Sequence, residues 1–582
     1  MAAGRGSPGQ WPLGTAAFVA RFAVFLWCDI GDAGDADLVA GSVVVTGSAR
    51  GVGVGQLPAY LYRYLYVANQ PSAATTVASA GGAYLCFGWS VLVAVVRWRQ
   101  SLSAVHTWLG LLCGWWLFFM FATGTLGYLD VQLDAWLQPE LHEQRDVSPQ
   151  QALPVLQQHL AQQQASEWRV HFPYQQQRPF YEAYWRSDER HAAVLQQQGE
   201  QWRLADMPDW GGQWLYQLHY RFHYFGRDAA RVLACALSAW LLLVLISGVV
   251  VHKKILQEML LLRPDKGLRS WLDGHNVLAV TALPYFLVMA YSGLLFYGTS
   301  AWPAAVQGGY GFADDARSQY FDDVRSQVPQ AAPVEPKHGV DLLTLQQMAL
   351  QHWGAGQLAS IRIDWPNGMA RLTRVEHSIV RGGEMAYVDM ATGQWQAQED
   401  GKSALQTLQQ GLFGLHEGLF AEPVLRALYL LAGVMGCVLI ASGHVIWLRK
   451  RERRRDHWWH VVRVLNLASF AGLPAAIATF MLLQRSGLLG LDQAQDGLFL
   501  TWLLLALAAI RIAPSWLYGL AAGLWLAVAI IDWWHQPLAS WQAMVQGNGD
   551  WLAVQLMAWS IAAMLVAITV WQRRTALQGA TR

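Results

Sequence analysis

Four histidines stand at matched places in the chain, each just before an apolar run long enough to cross a membrane. They are His106 in SAVHTW, His219 in YQLHYR, His275 in LDGHNV and His416 in FGLHEG. His223 follows His219 by one predicted helical turn, and His252 and His444 stand near the ends of other apolar runs. Because imidazole is the commonest protein ligand for transition metals, this placement predicts a metal or haem centre.

The chemistry requires these imidazoles to come from different helices. Neutral imidazole is the form that binds a metal, and both partial burial and the positive end of a helix dipole favour it. Two axial ligands of one haem approach the iron from opposite faces, so His219 and His223 cannot serve the same iron from adjacent turns. The alternative for each histidine is an interfacial hydrogen bond without any cofactor.

The positions also predict two separate layers. His106 and His275 belong to one side of the membrane, with His252 and His444 as competitors, whereas His219, His223 and His416 belong to the other. The 33 residues from His219 to His252 would span about 50 Å as a continuous helix. We therefore expect two haems, one near each face, that together give electrons a path across the bilayer.

Other kinds of site find little support. No carboxylate pair or Ser/His/Asp arrangement stands out, so no catalytic side chain is predicted, and the HxxxH of residues 219–223 lacks the glutamate of a zinc protease. The five cysteines show no C-x-x-C spacing, which argues against a thiolate metal site. The net charge of +1 and the absence of a basic stripe give no indication of nucleic-acid binding.

The composition is that of a membrane protein. Hydrophobic residues make up 54% of the 582 residues and charged residues 14%, against about 25% in soluble domains. Nine apolar runs reach spanning length, at 77–96, 106–128, 229–251, 277–298, 424–448, 461–483, 497–513, 515–534 and 551–571. The fold class predicted is an all-α polytopic membrane protein with about eight or nine transmembrane helices.

Charge and pattern place two larger segments on one side of the membrane. Basic clusters at 97–99, 253–269, 449–463 and 573–574 mark cytoplasmic loops by the positive-inside rule. Segments 130–225 and 299–420 then face the periplasm of a bacterial inner membrane. Each reads as a helix followed by strands, which predicts two small α+β modules.

The chain shows an internal repeat between about residues 98 and 455. His106 and His275 each lie 18 residues before a glycine, Gly124 and Gly293, and Arg231 and Arg426 each lie 17 residues before another, Gly248 and Gly443. The repeat predicts core helices in 98–129, 226–298 and 421–455 around the two modules, followed by four helices in 456–582. Residues 1–97 fit poorly, with one probable span and a stretch with the TGxxxGxG pattern at 43–53 that has no room for a dinucleotide-binding fold.

Several of these segments resemble the PepSY-associated transmembrane family. The similar stretches are RQSLSAVHTWLGLLCGWWLFFMFATGTLGYLD at 99–130, SGVVVHKK at 247–254, RPDKGLRSWLDGHN at 263–276, GLFGLHEGLF at 411–420 and VDMATGQW at 388–395. The resemblance covers about 98–485 and includes siderophore-iron reductases of the inner membrane. It implies two PepSY-like periplasmic domains and b-type haem held by His106, His219, His275, His416 and, less directly, His252.

The expected function is reduction of ferric iron in a periplasmic siderophore or other chelate by two haem b groups. Quinol or a cytosolic reductase would donate the electrons, and membrane lipid surrounds the helices. Aromatic residues of the modules, Trp185, Trp210, Trp365 and Trp395, are candidates for docking the chelate. Two alternatives are a membrane-anchored PepSY protein that binds or regulates a periplasmic peptide or protease, and a transporter; the latter is weakened by the scarcity of intramembrane carboxylates.

Overall fold

The structure, a computed structural model, describes residues 80–138, 147–173, 180–198, 201–252, 261–301, 304–324, 329–375, 378–380, 384–397, 404–535 and 537–580. The chain divides into two compact units, Met1–Gly88 and Trp89–Arg582. The predictions for residues 1–79 lie outside the described residues, so the account below concerns the second unit.

The described elements of the first half comprise five helices and four strands. They are α1 (Ala80–Leu126), α2 (Asp130–Leu137), α3 (Pro149–Ala161), β1 (Glu167–His171), β2 (Glu182–Arg186), β3 (Arg190–Gln198), β4 (Gln201–Asp206), α4 (Gly211–Arg221) and α5 (Arg227–Val251). A short 3-10 turn, Gly127–Leu129, joins α1 to α2.

The second half repeats this order and then adds further helices. Its elements are α6 (Leu268–Thr281), α7 (Leu283–Ala301), α8 (Ala304–Tyr310), α9 (Ala316–Val324), α10 (Leu342–Trp353), β5 (Leu358–Asp364), β6 (Met369–Arg374), β7 (Met385–Asp389), β8 (Trp395–Ala397), α11 (Ala404–Glu417), α12 (Pro423–Lys450), α13 (His457–Leu467), α14 (Leu473–Arg485), α15 (Leu491–Ala508), α16 (Pro514–His535), α17 (Pro537–Gln546) and α18 (Gly549–Ala580). A π-helical turn, Ala468–Gly472, links α13 to α14.

Six described segments are long and apolar enough to cross a membrane, rather than the eight or nine predicted. They are Trp98–Leu137, Arg227–Val251, Pro423–Lys450, His457–Arg485, Pro514–Trp534 and Gly549–Leu577. A seventh span would be α6 and α7 together, which the structure bends by 64°. The bend lies at Ala282, just before Pro284, whose missing amide hydrogen interrupts the helical hydrogen bonds.

The first core helix is longer than the sequence predicted. Residues 97–99, expected to form a loop between two spans, lie inside α1. No glycine or proline occurs between Val91 and His106, so nothing in this stretch breaks the helical hydrogen bonding.

The two predicted α+β modules form a single layer. Each supplies one helix and four strands, but all strands join one antiparallel sheet in the order β4-β3-β2-β1-β5-β6-β7-β8. The junction is the central pair β1–β5, in which Arg169 lies opposite Arg362. One hydrophobic core beneath the sheet contains Trp168 of the first module and Trp365 of the second, whose rings lie 4.8 Å apart. The picture of two separate domains is therefore wrong, and Trp365 is a core residue instead of a docking surface.

The C-terminal helices pack on the repeated bundle in one continuous core. At one end of that core, buried Asp532 of α16 forms a salt bridge with Arg485 of α14 at 2.8 Å. The same carboxylate accepts hydrogen bonds from the indoles of Trp136 and Trp551. Since α2, α14, α16 and α18 all contribute, this carboxylate ties the extra helices to the core bundle.

The shared core generates a prediction about the two modules. Leu345→Ala on α10 removes a fully buried side chain, and we expect it to destabilise the domain by about 2–5 kcal/mol. Because the core is common, hydrogen exchange should accelerate in β2 and β3 of the other module as well. Leu350→Ala, on the exposed side of the same helix, is the control. Faster exchange confined to β5–β8 would show two independent domains.

Candidate functional site

His106 of α1 and His275 of α6 meet inside the bundle. Their ring centroids lie 6.4 Å apart and the ring planes are nearly perpendicular, at 86°. Two imidazoles on opposite faces of one iron, with bonds of about 2 Å and about 1 Å more to each ring centre, would be separated by about 6 Å. The two inner candidates thus lie together, at a spacing that fits two axial ligands.

We call His106 and His275 the inner pair. Hydrogen bonds determine which nitrogen of each ring is available to bind a metal. The Nδ1 atom of His106 donates to the carbonyl of Val244 at 2.9 Å. The Nδ1 atom of His275 lies 2.9 Å from Ser442 Oγ, and that hydroxyl donates its own hydrogen to the carbonyl of Leu439. Ser442 therefore accepts from His275. In both rings Nε2 remains as the nitrogen with a free lone pair, which is the arrangement of a metal-binding histidine.

His219 of α4 and His416 of α11 form the outer pair. Both line a cavity of about 640 Å³ bounded by the bundle on one side and the sheet on the other. Ser292 donates to the carbonyl of Val288 and lies 2.7 Å from His416 Nδ1, so it accepts from that ring. His219 Nδ1 donates to the carbonyl of Tyr216 at 2.5 Å. As in the inner pair, Nε2 is the ring nitrogen whose lone pair is available to bind a metal.

The surroundings of the outer pair keep both imidazoles neutral. Helices α4 and α11 lie outside the candidate membrane spans. Desolvation lowers the pKa of His219 to about 4, with a smaller opposing effect of the Tyr216 carbonyl. Desolvation, together with the nearby charge of His219, lowers the pKa of His416 to about 3. Above about pH 4 both rings are thus in the form that binds a metal.

Each of the four rings packs against a glycine of a facing helix. A Cβ on Gly248 would lie 3.0 Å from the His106 ring, one on Gly443 3.3 Å from His275, one on Gly124 3.6 Å from His219 and one on Gly293 3.7 Å from His416. These are the four glycines of the sequence repeat, and each follows a serine or threonine, as Thr123-Gly, Ser247-Gly, Ser292-Gly and Ser442-Gly. The repeated dipeptide provides room for the ring and, at three of the four positions, a polar atom beside Nδ1.

The position of His219 departs from this pattern. The hydroxyl of Thr123 donates to the carbonyl of Phe119 at 2.7 Å, and His219 uses a carbonyl of its own helix. The outer site is therefore less symmetric than the inner one.

Two further predicted candidates, His223 and His252, have other hydrogen-bond partners. Helix α4 ends at Arg221, and Phe222 and His223 both have positive φ, so His223 does not follow His219 on the same helix. Instead His223 accepts from the indole of Trp214 and stacks on Phe499. The Nε2 atom of His252 lies 3.0 Å from Asn276 Nδ2, beyond the end of α5.

His444 of α12 lies between the C-terminal helices and α1, where Gly114 packs against its Nε2. It is buried, and its Nδ1 donates to Asn466, which also accepts from the indole of Trp115. No group of three or more His, Cys, Asp or Glu that could hold a bare metal ion occurs among the described residues. A histidine pair supplies two ligands, which is what a porphyrin-bound iron requires.

The sheet contributes cavity residues that the sequence did not indicate. His171, Glu182 and Tyr184 of β1 and β2 line the outer cavity together with Tyr128 and Tyr216 of the bundle. Tyr128 donates to the carbonyl of His416 at 3.0 Å. In the sequence, the cavity residues of these strands cannot be told apart from ordinary surface residues. For the bundle, the hydroxyl–glycine dipeptides were the available signal.

Comparison with known proteins identifies the family of the chain. The PepSY-associated TM region family model matches residues 103–450. The chain belongs to this family. It is also similar to the uncharacterized protein PA4219 of Pseudomonas aeruginosa, with 27% identity over 376 residues that cover 60% of this chain and 91% of the relative. The family match covers both histidine pairs and the whole sheet, and it ends with α12, before the C-terminal helices.

The lowered pKa values of the outer pair predict a pH-dependent stability. An unfolded chain protonates these histidines near pH 6.5, whereas the folded chain does so only near pH 4 and pH 3. Stability is therefore lost as pH falls from 6.5 towards 4, by at most about 2 kcal/mol per ring between pH 7 and pH 5. In thermal melts of cofactor-free protein in detergent, the loss of stability between pH 7 and pH 5 should be smaller for His416→Gln than for the unmodified protein. Exposed His338→Gln is the control, and an equal loss in all three proteins would contradict the assignment.

Proposed function

We propose that the protein is a haem-containing transmembrane electron-transfer protein that reduces ferric siderophore iron on the periplasmic side of the bacterial inner membrane. The observation that carries the proposal is the arrangement of four imidazoles in two pairs from separate helices. Each ring has its Nδ1 hydrogen bonded and its Nε2 free. Metal-binding histidines commonly donate one ring N–H in this way and bind the metal through the other nitrogen.

The two pairs lie at different depths of the same bundle. His106 and Gly124, which contacts His219, are 18 residues apart on the continuous helix α1. That separation corresponds to about 27 Å along the helix axis, close to the apolar thickness of about 30 Å. Haem b at each pair would supply one-electron exchange between Fe(III) and Fe(II). Electrons from a quinol or a cytosolic reductase would enter at the inner pair.

The residues of this chain supply orientation and exclusion of water. The histidines would hold the haems, and their hydroxyl or carbonyl partners keep the imidazole rings in place. With two histidine ligands, the haem iron would not bind the chelate itself. The outer cavity opens between the bundle and the sheet. A chelate docked against the sheet would therefore receive the electron without direct coordination. Reduction of Fe(III) to Fe(II) removes one positive charge from the iron, so hard oxygen donors of the chelate bind it more weakly.

The alternative, a membrane-anchored protein that binds or regulates a periplasmic peptide or protease, requires no haem. The absorption spectrum separates the two. Purified protein should show split α and β bands of b-type haem on reduction, with two haems per chain. His416→Ala should remove the outer contribution and leave the inner one. A colourless protein from haem-replete cells favours regulation, and full haem retention in His416→Ala refutes the outer assignment.

The packing of glycine against the inner pair gives a second test. Gly443→Val places a branched side chain where a Cβ alone would lie 3.3 Å from the His275 ring. We expect loss of about half of the haem, because the ring is displaced from its partner. Gly110→Val on α1, where an added Cβ would meet nothing within 4 Å, should retain both haems. Equal haem content in the two variants would show that the His275 environment is not a haem site.

A further inference from the structure

A row of arginines crosses the centre of the sheet. Arg169 of β1 lies opposite Arg362 of β5, and Arg362 lies opposite Arg371 of β6. Like charges directly opposite one another on neighbouring strands destabilise a sheet unless an anion lies between them. Three guanidinium groups in register are thus a feature that packing alone does not explain.

The carboxylates beside this row do not balance its charge. Glu167 binds Arg362 through both oxygens, at 2.8 and 3.0 Å, and lies 3.7 Å from Arg169 and 3.9 Å from Arg186. One carboxylate is therefore shared by three arginines. Arg371, opposite Arg362, is a fourth arginine close to this single shared carboxylate.

Arg371 differs from the other members of the row. Its Nε atom is buried and has no hydrogen-bond partner. Among the described residues no carboxylate forms an ion pair with it, whereas Arg374 on the same strand pairs with Glu384 at 2.6 Å. An unpaired guanidinium with a desolvated donor is costly, and a bound oxyanion would satisfy it.

The row ends beside a residue that lines the cavity of the outer histidine pair, although the arginines themselves are not part of the lining. Tyr184 of β2 lies opposite Arg169 on β1, next in register after the arginines, and it lines the cavity with His219 and His416. The side chains that alternate with the row, such as Val170, Ile361 and Leu372, form the core on the other face of the sheet. The arginines therefore lie on the sheet face that closes the cavity.

We propose that Arg169, Arg362 and Arg371 form an anion-binding platform that receives the carboxylate or other oxyanion groups of an iron chelate. This inference rests on the proposed function, because it assigns the docking surface for the substrate of the outer pair. The planar guanidinium fork binds carboxylates through two parallel hydrogen bonds, and Arg371 has that capacity unused. The platform selects for negative charge on the chelate.

Binding of redox-inert gallium chelates tests the platform without any electron transfer. Full-length protein in detergent is titrated calorimetrically with Ga(III)–EDTA, which carries one negative charge, and with neutral Ga(III) tris(acetohydroxamate). Arg371→Gln should weaken binding of the anionic chelate about tenfold, an effect typical of a hydrogen bond to a charged group. The neutral chelate should bind Arg371→Gln and the unmodified protein equally.

Arg374→Gln is the matched control, since it removes an arginine of the same strand that already has a carboxylate partner. Unchanged affinity of Arg371→Gln for the anionic chelate, or an equal loss for both chelates, overturns the proposal. The haem spectrum of each variant is recorded in parallel. A changed spectrum with unchanged chelate affinity assigns Arg371 to a haem carboxylate and overturns the proposal. Protein that binds the anionic chelate through Arg371 but contains no haem refutes the reductase and leaves the platform intact.

Discussion

The organisation of the bundle depends on bringing two neutral imidazoles together from separate helices inside an apolar environment. A buried imidazole that lacks hydrogen-bond partners is costly, so each ring needs a partner for one nitrogen. The structure provides it with a serine hydroxyl or a backbone carbonyl, and a glycine gives the ring space. The hydroxyls are committed to carbonyls of their own helices, so they act as acceptors and fix the tautomer. The serine–glycine dipeptide thus gives the ring space and a polar atom beside Nδ1 at three positions, whereas at His219 the dipeptide provides only the space.

The sheet and the C-terminal helices complete this arrangement from outside. The sheet lines one side of the outer cavity, and its two halves share one hydrophobic core. The C-terminal helices are connected through buried polar contacts, His444 to Asn466 and Asp532 to Arg485. A buried ion pair contributes little net stability, but the loss of one partner is costly. These contacts therefore specify which helices lie side by side.

The composite sheet also changes how the repeat is understood. Two copies of helix, module and helix would give two independent domains if each module closed its own sheet. Instead the first strands of the two modules pair with each other, and the centre of the sheet becomes the place where equivalent residues meet. Arg169 faces Arg362 for that reason. A charged row that neither module contains alone arises from their pairing.

The sequence by itself determined the membrane class, the repeat and the four histidines, because hydropathy and spacing along one helix are local properties. It also placed glycine at the four positions that later contact the rings. Only the tertiary structure decided which histidines meet, because in the sequence His223 and His252 stand near apolar runs just as the paired histidines do. In the structure His223 lies beyond the end of α4 at Arg221, and His252 contacts Asn276. The shared sheet, the bend at Ala282 and the arginine row likewise depend on contacts between residues far apart in the chain, which no local pattern encodes.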